Sequence, residues 1–151
     1  MYGKWFECKV SLKRTLDDGT QKQVKESYIV DALNFTEAET RILDETRVYG
    51  DVTLVSIKYC EANEIVDSHN PNDGYWYKVK IAMISIDESA GKEKKVNVNI
   101  YVRAKDFQSA LANTESYMDG SVMDYTITSI TETNIMEVFE YNKPAENAQQ
   151  K

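Results

Sequence analysis

The sequence repeats itself. Trp5-Phe6-Glu7-Cys8-Lys9-Val10-Ser11-Leu12 aligns with Trp76-Tyr77-Lys78-Val79-Lys80-Ile81-Ala82-Met83 at a constant offset of 71 residues. Tryptophan, aromatic, lysine and apolar positions coincide. One added residue between Asp17 and Thr20 moves the offset to 72, and Val24, Val30, Ala32, Phe35 and Ala38 then fall on Val96, Val102, Ala104, Phe107 and Ala110. A second between Val48 and Gly50 moves it to 73, placing Asp51-Val52-Thr53-Leu54-Val55-Ser56-Ile57 on Asp124-Tyr125-Thr126-Ile127-Thr128-Ser129-Ile130, and Glu64 on Glu137. Both shifts sit where turns are expected. The chain therefore reads as a tandem duplication of one small unit.

Each copy reads strand, strand, helix, strand. Phe6, Cys8, Val10 and Leu12 alternate with Glu7, Lys9 and Ser11, the period of two of a half-buried strand. Asp17-Asp18-Gly19-Thr20 and Ser89-Ala90-Gly91-Lys92 supply hairpin turns. Return strands are predicted over 24–32 and 96–104, and third strands over 52–59 and 125–131. Asn34 and Asp106 are helix N-caps at equivalent positions. They precede the stripes Phe35, Ala38, Ile42, Leu43 and Phe107, Ala110, Leu111, Thr114, Tyr117, Met118. Gly50 and Gly120 are the expected helix stops.

The fold class predicted is α+β: two ββαβ repeats, each a three-stranded antiparallel or mixed sheet covered by one helix, with the sheets joined or stacked. A unit of about 60 residues buries too little surface to be comfortable alone, so the repeats are expected to form one globular domain. The first repeat is read as 1–60, a polar linker as 61–75, the second repeat as 76–139 and a flexible tail as 140–151.

The inventory for catalysis is thin. Among 151 residues there is one histidine, His69, and it lies in the polar linker; the two cysteines, Cys8 and Cys60, make neither a disulfide framework nor a metal cluster. Cys8 shares the inward face of its strand with Phe6 and Val10 and reads as a small core hydrophobe. Asp17 with Asp18, and Glu61 with Glu64, lack the ligand spacing of a cation loop. The glycines are too few and wrongly spaced to cradle phosphates. No enzyme activity, metal or cofactor is predicted.

Charge narrows the partners. Lys and Arg number 18 against 25 Asp and Glu, a net charge of -7, which opposes coating of nucleic acid by bulk charge. No apolar run approaches the roughly 20 residues of a membrane span, and the N-terminal residues break their apolar positions with charges. No membrane association is predicted and the chain reads as cytoplasmic, its oligomeric state left open.

One surface stands out as a candidate binding site. Trp5 and Trp76 begin equivalent strands and alternate onto the face that carries Lys9, Lys78 and Lys80, and the return strand of the second copy adds Lys95, Asn97, Asn99, Tyr101 and Arg103. Aromatics interleaved with cations on an open sheet suit single-stranded nucleic acid. An ordinary solvated sheet face carries similar residues, and a strand-initial Trp also packs between duplicated halves. The expectation is a non-enzymatic interaction module with a protein partner first, single-stranded nucleic acid as the alternative, and a small ligand between the repeats as a third reading.

The motifs Trp5-Phe6-Glu7-Cys8-Lys9-Val10, Tyr28-Ile29-Val30-Asp31-Ala32-Leu33-Asn34-Phe35-Thr36-Glu37-Ala38-Glu39, Trp76-Tyr77-Lys78 and Thr133-Asn134-Ile135-Met136-Glu137-Val138-Phe139 resemble domain-of-unknown-function family 4494. The resemblance runs to about Tyr141. It implies an accessory protein of Bacteroides-type bacteria, their phages and mobile elements, and it brings no assigned activity or site residues.

Overall fold

The first hairpin shows how closely local chemistry sets this fold. Leu16 N–H donates to Thr20 O at 2.7 Å and Gly19 N–H to Leu16 O at 2.9 Å, with Gly19 at φ +86°, a conformation an L side chain disfavours. Asp18 Oδ1 accepts from both the Thr20 N–H (2.9 Å) and hydroxyl (2.6 Å), which holds the turn shut. The structure, a computed structural model, describes residues 3–89 and 91–141. Its elements in chain order are β1 (Lys4–Thr15), β2 (Gln21–Ala32), α1 (Phe35–Thr46), a 3-10 turn (Arg47–Tyr49), β3 (Thr53–Tyr59), β4 (Glu64–Val66), β5 (Tyr75–Asp87), β6 (Lys92–Ala104), α2 (Phe107–Met118), β7 (Asp124–Glu132) and β8 (Ile135–Phe139).

The chain divides into two compact units, one of Met1–Cys60 with Ile135–Lys151, the other of Glu61–Asn134. In the first unit β1 pairs antiparallel with β2 from Lys4↔Ala32 to Thr15↔Gln21, β3 lies antiparallel on the other side of β1, and β8 adds parallel to β2. The order is β3-β1-β2-β8; in the second unit it is β7-β5-β6-β4, with β4 parallel to β6.

The registers of the two units correspond residue for residue. Phe6 faces Val30 and Tyr59, and Tyr77 faces Val102 and Glu132. The ladder breaks between Lys9 and Val10 in one unit and between Lys80 and Ile81 in the other, 71 residues on. Tyr28 faces Glu137 in the parallel pair as Ile100 faces Glu64. These are the offsets of 71, 72 and 73 read from the sequence.

Each helix is started by the expected cap. Asn34 Oδ1 accepts from Glu37 N–H at 2.9 Å and Asp106 Oδ1 from Ser109 N–H at 2.7 Å. The Ser109 hydrogen bonds hold the Asp106 carboxyl below its ordinary range. The buried stripe is narrower than predicted: Ala38, Ile42 and Thr46 in α1, and Ala110, Thr114 and Met118 in α2. Thr46 and Thr114 bury hydroxyls that donate to Ile42 O and Ala110 O, each at 2.7 Å. Phe35 and Phe107 are instead half exposed, each meeting its sheet edge-on: Phe35 against Phe6, Phe107 against Tyr77, both with centroids 5.0 Å apart.

The first core gathers Phe6, Cys8, Val10, Leu12, Tyr28 and Val30 under Ala38 and Ile42; the second gathers Val79, Ile81, Ile100, Val102 and Met118. Two expectations are corrected. The sheets have four strands, not three, because residues 64–66 of the expected linker form β4, and residues 135–139 of the expected second repeat pair as β8 within the first unit. Both added strands are short and parallel, and parallel pairing is a non-local choice that leaves little local pattern. Of the expected tail 140–151, residues 142–151 lie outside the described residues.

Candidate functional site

The residues singled out from the sequence are not gathered on an open aromatic platform. Trp5, Trp76 and Tyr101 are buried, at 5%, 2% and 6% exposure. Trp5 O accepts from Cys60 N–H at 2.9 Å, and Trp76 O from Thr133 N–H at 3.0 Å and the Thr133 hydroxyl at 2.8 Å. Lys9, Lys80 and Lys95 are exposed and Lys78 is half-buried. Arg103, also half-buried, donates to Asp73 O at 2.8 Å and to Asp67 Oδ1 at 3.3 Å. It ties the loop after β4 to the sheet. Alternation assigned each residue to a face; it carried no information on whether that face is covered.

Cys8 is fully buried, and burial, helped by the Glu7 charge, pushes its thiol up to about 12. A thiol that stays protonated is a poor nucleophile. His69 lies exposed in its loop with Nδ1 3.9 Å from Asp67 Oδ2. Among the described residues no group of three or more His, Cys, Asp or Glu could hold a metal ion, and no helix is long and apolar enough to cross a membrane.

A site emerges when the two units are compared at the far end of each helix. In the first unit, Tyr28 is packed under α1 and stacks on Phe139, with centroids 5.6 Å apart and planes 19° from parallel. Its hydroxyl donates to Glu26 Oε1 at 2.8 Å, and Arg14 clamps the same carboxylate through Nε at 2.8 Å and Nη2 at 2.7 Å. The Arg14 guanidinium also lies 4.2 Å from the centre of the Tyr49 ring. The Arg14 hydrogen bond, more than that of Tyr28, holds Glu26 below its ordinary range, while burial and Glu26 raise the Tyr28 phenol. Tyr28 thus fills the apolar space at this end of the first core, and the pocket that remains beside Tyr49 and Gly50 is lined chiefly by polar groups such as Lys13, Gln21 and Asp51.

The register-equivalent positions of the second unit hold smaller groups. Ile100 stands at the place of Tyr28, Val98 at that of Glu26, Ser85 at that of Arg14 and Val66 at that of Phe139. Of these, Val98 and Ile100 line a cavity of about 440 Å³. Its floor is Ile81, Met83, Val98 and Ile100 of the sheet; Met118 and Tyr117 of α2 form one wall. Asn63, Glu64, Asp119 and Ser121 reach its edge. The lining carries two carboxylates and no cation. The Tyr117 phenol is raised by burial first and by the Glu64 carboxylate second. The helix wall ends at the edge with its carbonyl pole, and α2 has no basic residue in its last turn to offset it.

Such an open, largely apolar pocket can hold an apolar group and attract positive charge beside it. None of its residues was singled out as a site from the sequence, yet the signal was present: the repeat alignment sets Glu26 and Tyr28 against Val98 and Ile100, a loss of both bulk and charge between otherwise matching strands.

No curated protein and no solved structure matches the chain. The family described as Domain of unknown function (DUF4494) matches residues 4–141, nearly the whole sequence, and the chain belongs to it.

Proposed function

We propose that the chain is a non-enzymatic binding module whose partner is a protein, engaged through the cavity of the second unit. The observation that carries this reading is the paired comparison: one unit has the place filled by its own Tyr28, while its counterpart keeps an open apolar pocket with an acidic edge. Pockets that hold ligands run from about 300 to 1,000 Å³, so the cavity is of useful size. The matching registers support descent of both units from one duplicated ββαβ segment, with one copy kept as scaffold and the other opened for binding. The bacterial or phage setting and a cytoplasmic location belong to the same reading.

Single-stranded nucleic acid is the alternative. It retains Lys9, Lys80 and Lys95 at the surface but lacks accessible stacking rings at Trp5, Trp76 and Tyr101.

The test is affinity capture with the parent chain and with Val98→Trp, which fills the cavity. Circular dichroism and a melting curve verify that the variant folds, and Met83→Trp serves as a second filling variant. Protein bound by the parent and lost on filling is the expected result. Identical capture by parent and folded variants contradicts the reading, and quenching of Trp fluorescence by oligonucleotides at low salt favours the alternative.

A further inference from the structure

Resting on the binding reading above, we infer that the second-unit cavity is the docking site for a single aromatic side chain carried on a basic segment of the partner protein.

The first half of this inference comes from the chain itself. At the equivalent place in the first unit, the space under the helix is occupied by an aromatic ring, Tyr28, lying between the sheet, α1 and Phe139. The flanking geometry is retained in the second unit, where the antiparallel and parallel registers are the same. What differs is the fill: Ile100 and Val98 replace Tyr28 and Glu26 in the floor, while Met118 of the wall stands where α1 has the smaller Thr46. A planar ring entering from outside restores the packing that the sister unit achieves internally. The cavity floor of Ile81, Met83 and Val98 is apolar throughout, and Met118 offers a polarizable sulfur to a ring edge. Residues 142–151 contain no aromatic side chain, so that stretch cannot serve as the plug.

The second half is electrostatic. Glu64 and Asp119 flank the opening, no Lys or Arg lines it, and the carbonyl end of α2, with no basic residue in its last turn, adds negative potential at the same edge. The chain as a whole carries -7, which steers cationic segments toward it and acidic ones away. A ring flanked by Lys or Arg satisfies floor and edge together. A ring flanked by carboxylates satisfies only the floor.

The experiment is a titration of the ¹⁵N-labelled full chain with three acetylated and amidated tripeptides: lysyl-tyrosyl-lysine, lysyl-alanyl-lysine and glutamyl-tyrosyl-glutamate. The expected result is saturable shifts of the Ile81, Met83 and Val98 amides with the first peptide. Binding of the other two should be weaker by about tenfold or more, from loss of ring burial or of the edge charges. The shifts should vanish in folded Val98→Trp, and Glu64→Gln with Asp119→Asn should weaken the first peptide by roughly 3- to 10-fold. Equal binding of the alanyl peptide overturns the aromatic occupant, equal binding of the glutamyl peptide overturns the basic one, and no shifts with any peptide overturns both. Capture separates this from the broader reading. If Val98→Trp abolishes partner capture while no tripeptide binds, this inference falls and the binding module stands; if capture survives filling, the broader reading falls.

Discussion

The hydroxyl of Tyr28 donates to Glu26 Oε1 at 2.8 Å, and Arg14 grips the same carboxylate with two hydrogen bonds. This linkage anchors Tyr28 in the first core, and it makes acid a probe of that anchoring. Glu26 is held below its ordinary range, chiefly by Arg14. A carboxylate with a lowered folded pKa contributes stability that is fully present above the unfolded value, near 4.3 for Glu, and is lost as pH falls through the folded value. Glu26→Gln should therefore be less stable than the parent at pH 7 by about 1–3 kcal/mol. Thermal melts should show the gap narrowing below pH ~4. A gap constant from pH 7 to 2 would contradict this assignment.

The two units should answer opposite changes of size in opposite ways. Tyr28→Ala removes a buried ring from a closed core and should cost about 3–5 kcal/mol in denaturant unfolding. Ile100→Phe adds bulk beside an open cavity and should change stability by less than about 1.5 kcal/mol. A severe loss from Ile100→Phe would mean that the space is not free.

The closing strand of the first unit offers a third test. Asp31 is fully buried, its Oδ1 accepting from Tyr141 N–H at 2.8 Å and lying 3.6 Å from Arg41 Nη2. Arg41 also donates to Phe139 O at 3.3 Å and lies over the Tyr141 ring at 4.9 Å. Removing the guanidinium from a buried carboxylate is costly, so Arg41→Met should destabilise by about 3 kcal/mol. Adding Asp31→Asn should recover part of it, a coupling measured by a double-mutant cycle. Additive losses would show that the pair is not coupled.

Gly3 and Cys8 report on the packing of β1. A Cβ on Gly3 would lie 2.4 Å from Ala32 O, so Gly3→Ala must displace the end of the β1–β2 ladder, costing about 1–3 kcal/mol. Cys8 is buried with its thiol pushed up to about 12, while Cys60 is half-buried. A thiol reagent at pH 8 should modify Cys60 first and Cys8 only on unfolding; rapid modification of both would contradict the burial of β1.

How far this architecture is legible in the sequence depends on how local each decision is. Strands β1, β2, β5 and β6 announce themselves by alternation, and the helices by Asn34 and Asp106, because pleat and cap are settled within a few residues. The three residues of β4 and five of β8 carry no such mark; their places follow from long-range parallel pairing to Ile100–Val102 and Ser27–Val30. The same limit applies to Trp5 and Trp76, whose strand face is readable and whose burial is not. The cavity is an intermediate case. Its walls come from distant segments, but its cause, the exchange of Tyr28 and Glu26 for Ile100 and Val98, is written in the aligned repeats.

The measurement that bears most directly on the central claim is the set of intermolecular nuclear Overhauser contacts between the ring of bound lysyl-tyrosyl-lysine and the methyl groups of the full chain. The account predicts contacts from the ring to Ile81, Val98, Ile100 and Met118. Ring contacts confined to other surfaces, such as Phe35 or Phe107, or none at saturating peptide, would contradict it.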